Sequence, residues 1–181
     1  LVTRQGGLWA AGSHDSTAAT ARFDGQRWSL QTHSHLSWGI DRRAVYESSD
    51  GALWFGAAGI WFPERGHLGG VLRFDGKTWT HYTPPEALGA PYGIGQTADG
   101  ALWFGNVDEL RRFDGQAWKV ITEPKEFATA SIDVVYSPPK GDLWIGTRQY
   151  GIFRFDGKTW RQYGVRDGLA DNRVDGIRQT S

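Results

Sequence analysis

The sequence predicts an all-β fold, a β-propeller of four-stranded antiparallel blades, from three observations. A Leu-Trp segment with a glycine two residues after the Trp, or three in the first copy, occurs four times, and a Phe-Asp-Gly-x-x-Trp segment follows it each time. The Leu-Trp tryptophans recur every 41 to 49 residues, a period typical of propeller blades. No stretch of ten or more residues shows the 3.6-residue apolar period of a helix. Repetition around an axis would give each sheet the neighbours that its apolar faces need.

The repeated tryptophans are predicted to be packing residues rather than a binding site. They recur at equivalent positions in every copy, as contacts between stacked blades require, and they account for eight of the ten tryptophans. This structural set comprises Trp9, Trp28, Trp54, Trp79, Trp103, Trp118, Trp144 and Trp160.

Each copy is expected to contain four strands joined by short turns. An Asp-Gly pair between strand-type residues signals a two-residue type I′ turn, so Asp75 and Gly76 are predicted to form one. In that register Leu72 faces Trp79, and the other copies pair Ala21 with Trp28, Arg111 with Trp118 and Phe153 with Trp160. The predicted strands of copies two to four are 44–48, 53–56, 71–74, 79–82; 92–97, 102–105, 111–113, 118–121; and 132–137, 143–146, 152–155, 160–163.

These strands predict one partial propeller domain over residues 1–181. The expected blades are about 1–34, 42–83, 92–122 and 131–164, and residues 173–181 are expected to be the first strand of a further blade. An open arc cut from a larger ring is favoured, and closure by pairing of residues 174–179 beside the first blade is the alternative. The absence of methionine suggests a segment of a longer product.

Composition narrows the function classes. The 20 basic and 20 acidic residues are scattered, so nucleic acid is not an expected partner. The longest apolar stretch, residues 51–62, is too short to span a membrane, and no membrane contact is expected of this segment.

The sequence contains no recognisable metal site or catalytic motif. There is no cysteine, and His33-x-His35 lacks a third metal ligand, so neither a metal nor a cofactor is predicted. His14-Asp15-Ser16 cannot form a triad because adjacent residues lack the geometry, and no catalytic residue is predicted.

The fourth copy carries the clearest resemblance to a known family. Residues 141–163 read GDLWIGTRQYGIFRFDGKTWRQY, which resembles the two-component regulator propeller repeat, with its DG-x-LWxGT segment, glycine-rich turn and RFD-type hairpin. The resemblance covers nearly all of the chain, although the first copy, LWAAGSHDSTAATARFDG, departs from it through an irregular insertion. It implies a periplasmic or other extracytoplasmic sensor segment of a membrane-bound histidine kinase, often of the hybrid type, that responds to polysaccharide breakdown products.

Candidate ligand-binding residues lie on the loops opposite the two short turns of each copy. These loops vary in length and include the insertion at residues 57–70 and the linkers 31–41 and 83–91. Function tends to lie on variable loops held by a rigid scaffold, indoles stack on sugar rings, and Arg or His binds carboxylates. The candidates for a small molecule or oligosaccharide are Trp38, Trp61, Arg65, His67, Arg148 and Tyr150. The competing interpretation is that loop aromatics merely anchor their loops.

Three functions remain open at this point. A non-catalytic sensor segment of a receptor, packed against further blades of the same chain, is favoured. Streptogramin-lyase-like propellers carry somewhat similar DG-x-LWFT repeats, and an enzyme of that type would need an acid/base histidine, for which only His67 is suitably placed. A secreted or surface interaction module without an output domain is the third.

Overall fold

The strands of this chain form four antiparallel sheets that follow one another along the sequence. The computed structural model describes residues 1–62, 66–83, 89–107, 109–138 and 141–180, with the side chains of residues 58–68 left out of the description. The sheets confirm the predicted all-β propeller class, and among the described residues no helix is long and apolar enough to cross a membrane. Two compact units contain them, Leu1–Pro91 with blades 1 and 2 and Tyr92–Ser181 with blades 3 and 4.

Each blade is a meander in which neighbouring strands in sequence are neighbours in the sheet. Blade 1 contains β1 (Leu8–His14), β2 (Thr17–Phe23) and β3 (Trp28–Thr32); blade 2 contains β4 (Ile40–Glu47), β5 (Leu53–Phe62), β6 (Gly66–Phe74) and β7 (Trp79–Tyr82). Blade 3 contains β8 (Gly93–Gln96), β9 (Leu102–Gly105), β10 (Leu110–Phe113) and β11 (Trp118–Ile121); blade 4 contains β12 (Ile132–Tyr136), β13 (Leu143–Thr147), β14 (Ile152–Phe155) and β15 (Trp160–Tyr163). Short 3₁₀ helices span Lys125–Ala128 and Val165–Asp167.

The first segment of the chain pairs with blade 1, and the last segment contacts blade 4. Leu1 and Trp9 exchange two backbone hydrogen bonds of 2.9 Å, so the chain start lies beside β1 where the other blades have their first strand. Residues 173–180 form no strand within the described part of the chain, and the Val174 amide donates to the carbonyl of Thr147 at 2.9 Å.

The Phe-Asp-Gly hairpin has a different register from the predicted one. Phe74 pairs with Trp79 and Leu72 with His81, so the predicted pairing of Leu72 with Trp79 is wrong by two residues. The same correction holds in the other blades, where the pairs are Phe23 with Trp28, Phe113 with Trp118 and Phe155 with Trp160. Because a shift of two residues keeps the side-chain alternation, Leu72, Phe74 and Trp79 still share one face as predicted.

The aspartate of this hairpin explains the shifted register. Its turn is centred on Gly76 and Lys77, and only Gly76 of the Asp-Gly pair has a positive φ, +99°. The Asp75 carboxylate accepts hydrogen bonds from the amides of Lys77 at 2.9 Å and Thr78 at 2.8 Å, so the side chain competes with the type I′ geometry. The Thr78 hydroxyl and these amides hold the pKa of Asp75 below its usual value.

Two segments expected to be irregular contain ordered strand pairs. Residues 57–62 and 66–70 of the insertion extend β5 and β6, and in this described part the pairing register shifts between Ala57 and Ile60. In blade 1, β1 and β2 pair without interruption from Leu8 to His14 around a two-residue turn. That turn has positive φ at Asp15 (47°) and Ser16 (59°), the geometry that the Asp-Gly pairs were expected to adopt. In both cases strand pairing satisfies backbone groups that a loop would leave to solvent.

Aromatic contacts join the two blades of each unit. In unit 1, the Trp9 ring lies 5.3 Å from Phe74 and 6.2 Å from Trp79 of the next blade, measured between centroids. Unit 2 repeats this geometry, with Trp103 lying 5.3 Å from Phe155 and 5.9 Å from Trp160. The Leu-Trp indole of one blade therefore covers the Phe-Asp-Gly hairpin of the following blade.

A hydroxyl residue at the start of the first turn fixes the Leu-Trp indole. Ser48 Oγ accepts a hydrogen bond from Trp54 Nε1 at 2.9 Å and donates to Asp50 Oδ1 at 2.5 Å. In blade 3, Thr97 Oγ1 accepts from Trp103 Nε1 at 2.9 Å. The indole nitrogen is thereby satisfied inside the sheet, as burial requires.

Candidate functional site

The six predicted ligand-binding residues lie in different parts of the chain. Trp38 is in the linker between β3 and β4, whereas Arg148 and Tyr150 follow β13 in the other unit. Trp61 and His67 are paired positions of the β5–β6 hairpin. Their side chains, and Arg65 entirely, lie outside the described residues.

Trp38 presents its indole to solvent from a fixed backbone. Its side chain is 55% exposed, while the preceding Leu36 and Ser37 are buried. The Ser37 carbonyl accepts a hydrogen bond from the Ala18 amide at 3.0 Å, which ties the linker to β2. A large exposed aromatic on a fixed backbone is a suitable platform for stacking.

Arg148 is part of a structural ion pair. Its Nε lies 2.6 Å from Asp133 Oδ2, and its Nη2 lies 3.0 Å from Oδ1 of the same carboxylate. Asp133 is buried on β12, so this bidentate pair compensates a charge that would otherwise be costly inside the protein. The arginine therefore holds the loop after β13 against β12.

Tyr150 also anchors its loop. Its hydroxyl lies 3.0 Å from Thr129 Oγ1, and its amide donates to Thr147 Oγ1 at 3.0 Å. The ring is half-buried and packs on the core of unit 2. These contacts match the competing interpretation that loop aromatics serve as anchors.

A histidine cluster joins the linker after β3 to β7. The ring centroid of His81 lies 6.3 Å from that of His33 and 5.6 Å from that of His35. His33 Nε2 is 2.9 Å from Thr20 Oγ1, and burial, followed by the neighbouring His81, lowers the pKa of His33 to about 4. Within the described residues no group of three or more such side chains is arranged to hold a metal ion. Sequence spacing could not reveal this cluster because His81 lies on another blade.

The sequence also did not predict a cavity in unit 1. It lies at the short-turn edge, the edge of the blades that carries the turn before the Leu-Trp segment and the Phe-Asp-Gly turn. It has a volume of about 330 Å³ and lies between the first turn of blade 1 and the turns of blade 2. Gln5, Arg22 and Glu47 contribute polar groups, and Trp9 and Phe74 contribute apolar ones. The sequence predicts its candidate residues on the opposite edge, because the short turns are nearly alike in every copy.

Comparison with known proteins is informative for the fold. No family model matches the chain, and no curated protein matches it. PorZ, a surface component of the type-IX secretion system of Porphyromonas gingivalis, is similar at 13% identity with a TM-score of 0.68 over 96% of this chain. The catalytically inactive virginiamycin B lyase of Staphylococcus aureus, solved with quinupristin, is similar at 17% identity with a TM-score of 0.65 over 92% of this chain.

A third similar structure is the extracellular domain of a proposed hybrid two-component system from B. thetaiotaomicron, at 18% identity with a TM-score of 0.48 over 93% of this chain. The chain spans 28% of the PorZ structure, 55% of the lyase and 28% of this domain. At these identities the likeness concerns the fold alone. The repeats of this chain are β-propeller blades, in agreement with the repeat pattern of the sequence.

Proposed function

We propose that this chain is a non-catalytic, ligand-sensing segment of an extracytoplasmic signal-transducing receptor, and that its ligand is an oligosaccharide. The observation that carries this proposal is the exposed indole of Trp38 between neighbours that are buried on both sides, residues 36–37 and 39–40. The receptor context is supported by the resemblance of the repeats to the two-component regulator propeller repeat. Extracytoplasmic location follows from the same resemblance and is part of the proposal.

Trp38 lies outside the repeat, and of the eight repeated tryptophans only Trp28, at 50%, is comparably exposed. Trp9, Trp54 and Trp103 are buried, and Trp79 lies against Trp9. Trp38 lies outside the repeat and exposes more than half of its side chain. An indole face of this kind stacks on the apolar face of a sugar ring, and the fixed linker reduces the ordering cost of binding.

The contacts of several described side chains support a non-catalytic role for this chain. His33 is buried, hydrogen-bonded to Thr20 and neutral at physiological pH because its pKa is about 4. Arg148 is engaged by Asp133, and Tyr150 by Thr129. These groups are used to hold the scaffold, which supports assigning them to architecture and the Trp38 region to recognition.

An enzyme on the same scaffold is the main alternative, and the lyase shares the fold with this chain. Incubation with quinupristin, the compound bound in the lyase structure, followed by chromatography distinguishes the two. We expect no conversion. Conversion that disappears in His67→Ala would replace the sensor proposal by the enzyme.

The third alternative, a surface interaction module, is distinguished by the gene sequence beyond Ser181. Further blades, a membrane helix and a kinase core there support the receptor. A stop codon directly after ring closure supports the interaction module instead.

Binding to a panel of soluble oligosaccharides, measured by isothermal titration calorimetry, tests the proposal directly. The panel contains fragments of pectin, xylan, mannan and chitin. We expect Trp38→Ala to weaken binding by roughly tenfold or more while the melting temperature stays nearly unchanged. Trp61→Ala is expected to act in the same direction, and a large loss of stability in that variant would identify Trp61 as a packing residue.

The matched control is Trp28→Ala, because Trp28 is 50% exposed but belongs to the repeat. We expect it to leave oligosaccharide affinity unchanged. Equal affinity of wild type and Trp38→Ala for every bound oligosaccharide, or binding of no member of the panel, would contradict the proposal.

A further inference from the structure

An ion pair between an arginine and an aspartate lies at the short-turn edge of three of the blades. The arginine precedes the Phe-Asp-Gly motif, and its partner is an aspartate of the turn before the Leu-Trp segment. Arg73 Nη2 lies 3.2 Å from Asp50 Oδ2 in blade 2, and Arg112 Nη2 lies 2.8 Å from Asp99 Oδ2 in blade 3. In blade 4 the repeat arginine, Arg154, pairs with Asp142, which directly precedes Leu143 and so lies two residues further along the turn than Asp50 and Asp99 do. An aspartate partner for the repeat arginine is thus common to blades 2, 3 and 4.

Blade 1 has the arginine but lacks the carboxylate. Arg22 is the repeat arginine, and Gln5 stands at the turn position that Asp50 and Asp99 occupy in their blades. Among the described residues Arg22 forms no ion pair, although its positive charge is one of the causes that lower the pKa of Asp24, two residues along the chain. The nearby Asp24 carboxylate accepts hydrogen bonds from the amides of Gln26 and Arg27, both at 2.8 Å. Arg22 therefore lacks the aspartate partner that the corresponding arginines have in the other three blades.

Arg22 opens onto the cavity of about 330 Å³ on the same edge of unit 1. Its guanidinium carbon lies 6.0 Å from the centre of the Trp9 ring, which also lines the cavity. Leu53 and Phe74 complete the apolar part of the lining, and Gln5 supplies an amide. A volume of this size accommodates a single-ring molecule.

The other charged group of the lining already has a partner. Glu47 Oε1 lies 3.3 Å from Arg4 Nε, and Glu47 Oε2 accepts the Arg4 amide at 2.7 Å. Its side chain is only 11% exposed. The charge of Glu47 is therefore compensated by Arg4, and the positive charge of Arg22 dominates the polar side of the cavity.

We propose that the cavity between the turns of blades 1 and 2 binds the carboxylate of a small, ring-containing organic acid. The ligand carboxylate takes the place that the turn aspartate has in the other blades and pairs with Arg22, while the Gln5 amide donates a hydrogen bond to it. The ring of the ligand lies on Trp9 and Phe74. This site is separate from the Trp38 region, which lies at the other ends of the strands.

Calorimetric titration with benzoate and with D-galacturonate tests the site, and the two arms separate an aromatic acid from a sugar acid. Benzamide and D-galactose are the neutral counterparts. We expect at least one of the two anions to bind with a dissociation constant of about 1 mM or below, and its counterpart to bind at least roughly tenfold more weakly.

Two variants and a matched control locate the binding. Arg22→Gln removes the cation, and Gln5→Asp supplies the carboxylate found in blades 2 and 3, so each should weaken binding by roughly tenfold or more. Gln5→Asp also controls for folding, because it restores the regular repeat pair. Arg112→Gln removes a guanidinium that is already paired, and it should leave the affinity unchanged.

Three results would overturn the proposal. The first is that neither anion binds the wild-type chain at about 10 mM. The second is that an anion and its neutral counterpart bind equally well. The third is that binding persists at full strength in Arg22→Gln or in Gln5→Asp.

Discussion

His33 shows how a single residue couples the fold to pH. Its side chain is 5% exposed, its Nε2 is 2.9 Å from Thr20 Oγ1, and its ring lies 4.6 Å from that of Trp79 between centroids. Burial is the main cause of its low pKa, and His81 adds to it. The neutral imidazole is therefore the form that the folded protein accommodates.

We expect the free energy of unfolding to fall as the pH is lowered from 6.5 to about 4. The unfolded chain protonates His33 near its usual pKa of 6.5, whereas the folded chain does so only near 4, so acid favours the unfolded state across that window. The stabilisation is complete above pH 6.5, and its loss amounts to roughly 1 to 3 kcal/mol after allowance for solvent screening. Urea denaturation at a series of pH values measures it.

His33→Asn is the comparison variant for this measurement, because it keeps a polar group near Thr20 without titrating. We expect its stability to change less between pH 6.5 and 4 than that of the wild type. His81, whose pKa burial also lowers, contributes in the same direction and keeps a residual slope. Identical slopes in the two proteins would show that His33 is not the coupling group.

At the residue scale, the sequence indicated which side chains have the chemistry to bind a ligand, but it did not indicate which partners those side chains contact in the fold. Arg148 was placed among ligand-binding residues because its loop is variable, but its partner Asp133 lies 15 residues away on another strand. No local pattern reveals such a pair. Gln5, by contrast, could have been recognised from the repeat itself, since it replaces the aspartate seen at Asp50 and Asp99.

The glycine that follows the Leu-Trp pair of blade 3 leaves room for a strand of the next blade. A Cβ atom on Gly105 of β9 would lie 2.5 Å from Ile132 Cγ2 and 3.0 Å from Val135 Cγ2, both on β12 of the next blade. In blade 1 the corresponding residue is Ala11, and the glycine follows one residue later, at Gly12, where a Cβ would meet no atom within 4 Å. A strand glycine therefore has a steric role at Gly105 and none at Gly12.

We expect Gly105→Ala to lower the free energy of unfolding by about 1 to 3 kcal/mol, because the added methyl group overpacks the contact with Ile132. Gly12→Ala, at a strand glycine where an added Cβ meets no neighbour, is the control and should change stability by less than about 0.5 kcal/mol or raise it slightly. Chemical denaturation measures both. Similar effects of the two substitutions would contradict the packing geometry at Gly105.

At the element scale the sequence predicted strands more reliably than their connections. The predicted strand at residues 79–82 agrees with β7, and that at 102–105 agrees with β9. The hairpin register was wrong because the Asp75 side chain binds the turn amides itself. The sequence pattern predicts a variable insertion at residues 57–70, and it does not reveal that residues 57–62 pair with residues 66–70.

The whole molecule depends on repetition of one aromatic contact. In each unit a Leu-Trp indole covers the Phe and Trp of the following hairpin at nearly the same distances. The blade period predicts packing for all eight repeated tryptophans; Trp9, Trp54 and Trp103 are buried, whereas Trp28 is 50% exposed. It could not predict which ring each would meet, since that depends on how the blades stack.

A double-mutant cycle on Trp9 and Trp79, each replaced by leucine, tests this contact most directly. Urea denaturation gives the unfolding free energies of the wild type, the two single variants and the double variant. Because the two rings touch across blades 1 and 2, we expect a coupling energy of about 1 kcal/mol. The control cycle on Trp28 and Trp79 should be additive, because the described ring contact of Trp28 is with Phe23. Additivity of Trp9 and Trp79 within about 0.3 kcal/mol would contradict the packing of one blade on the next.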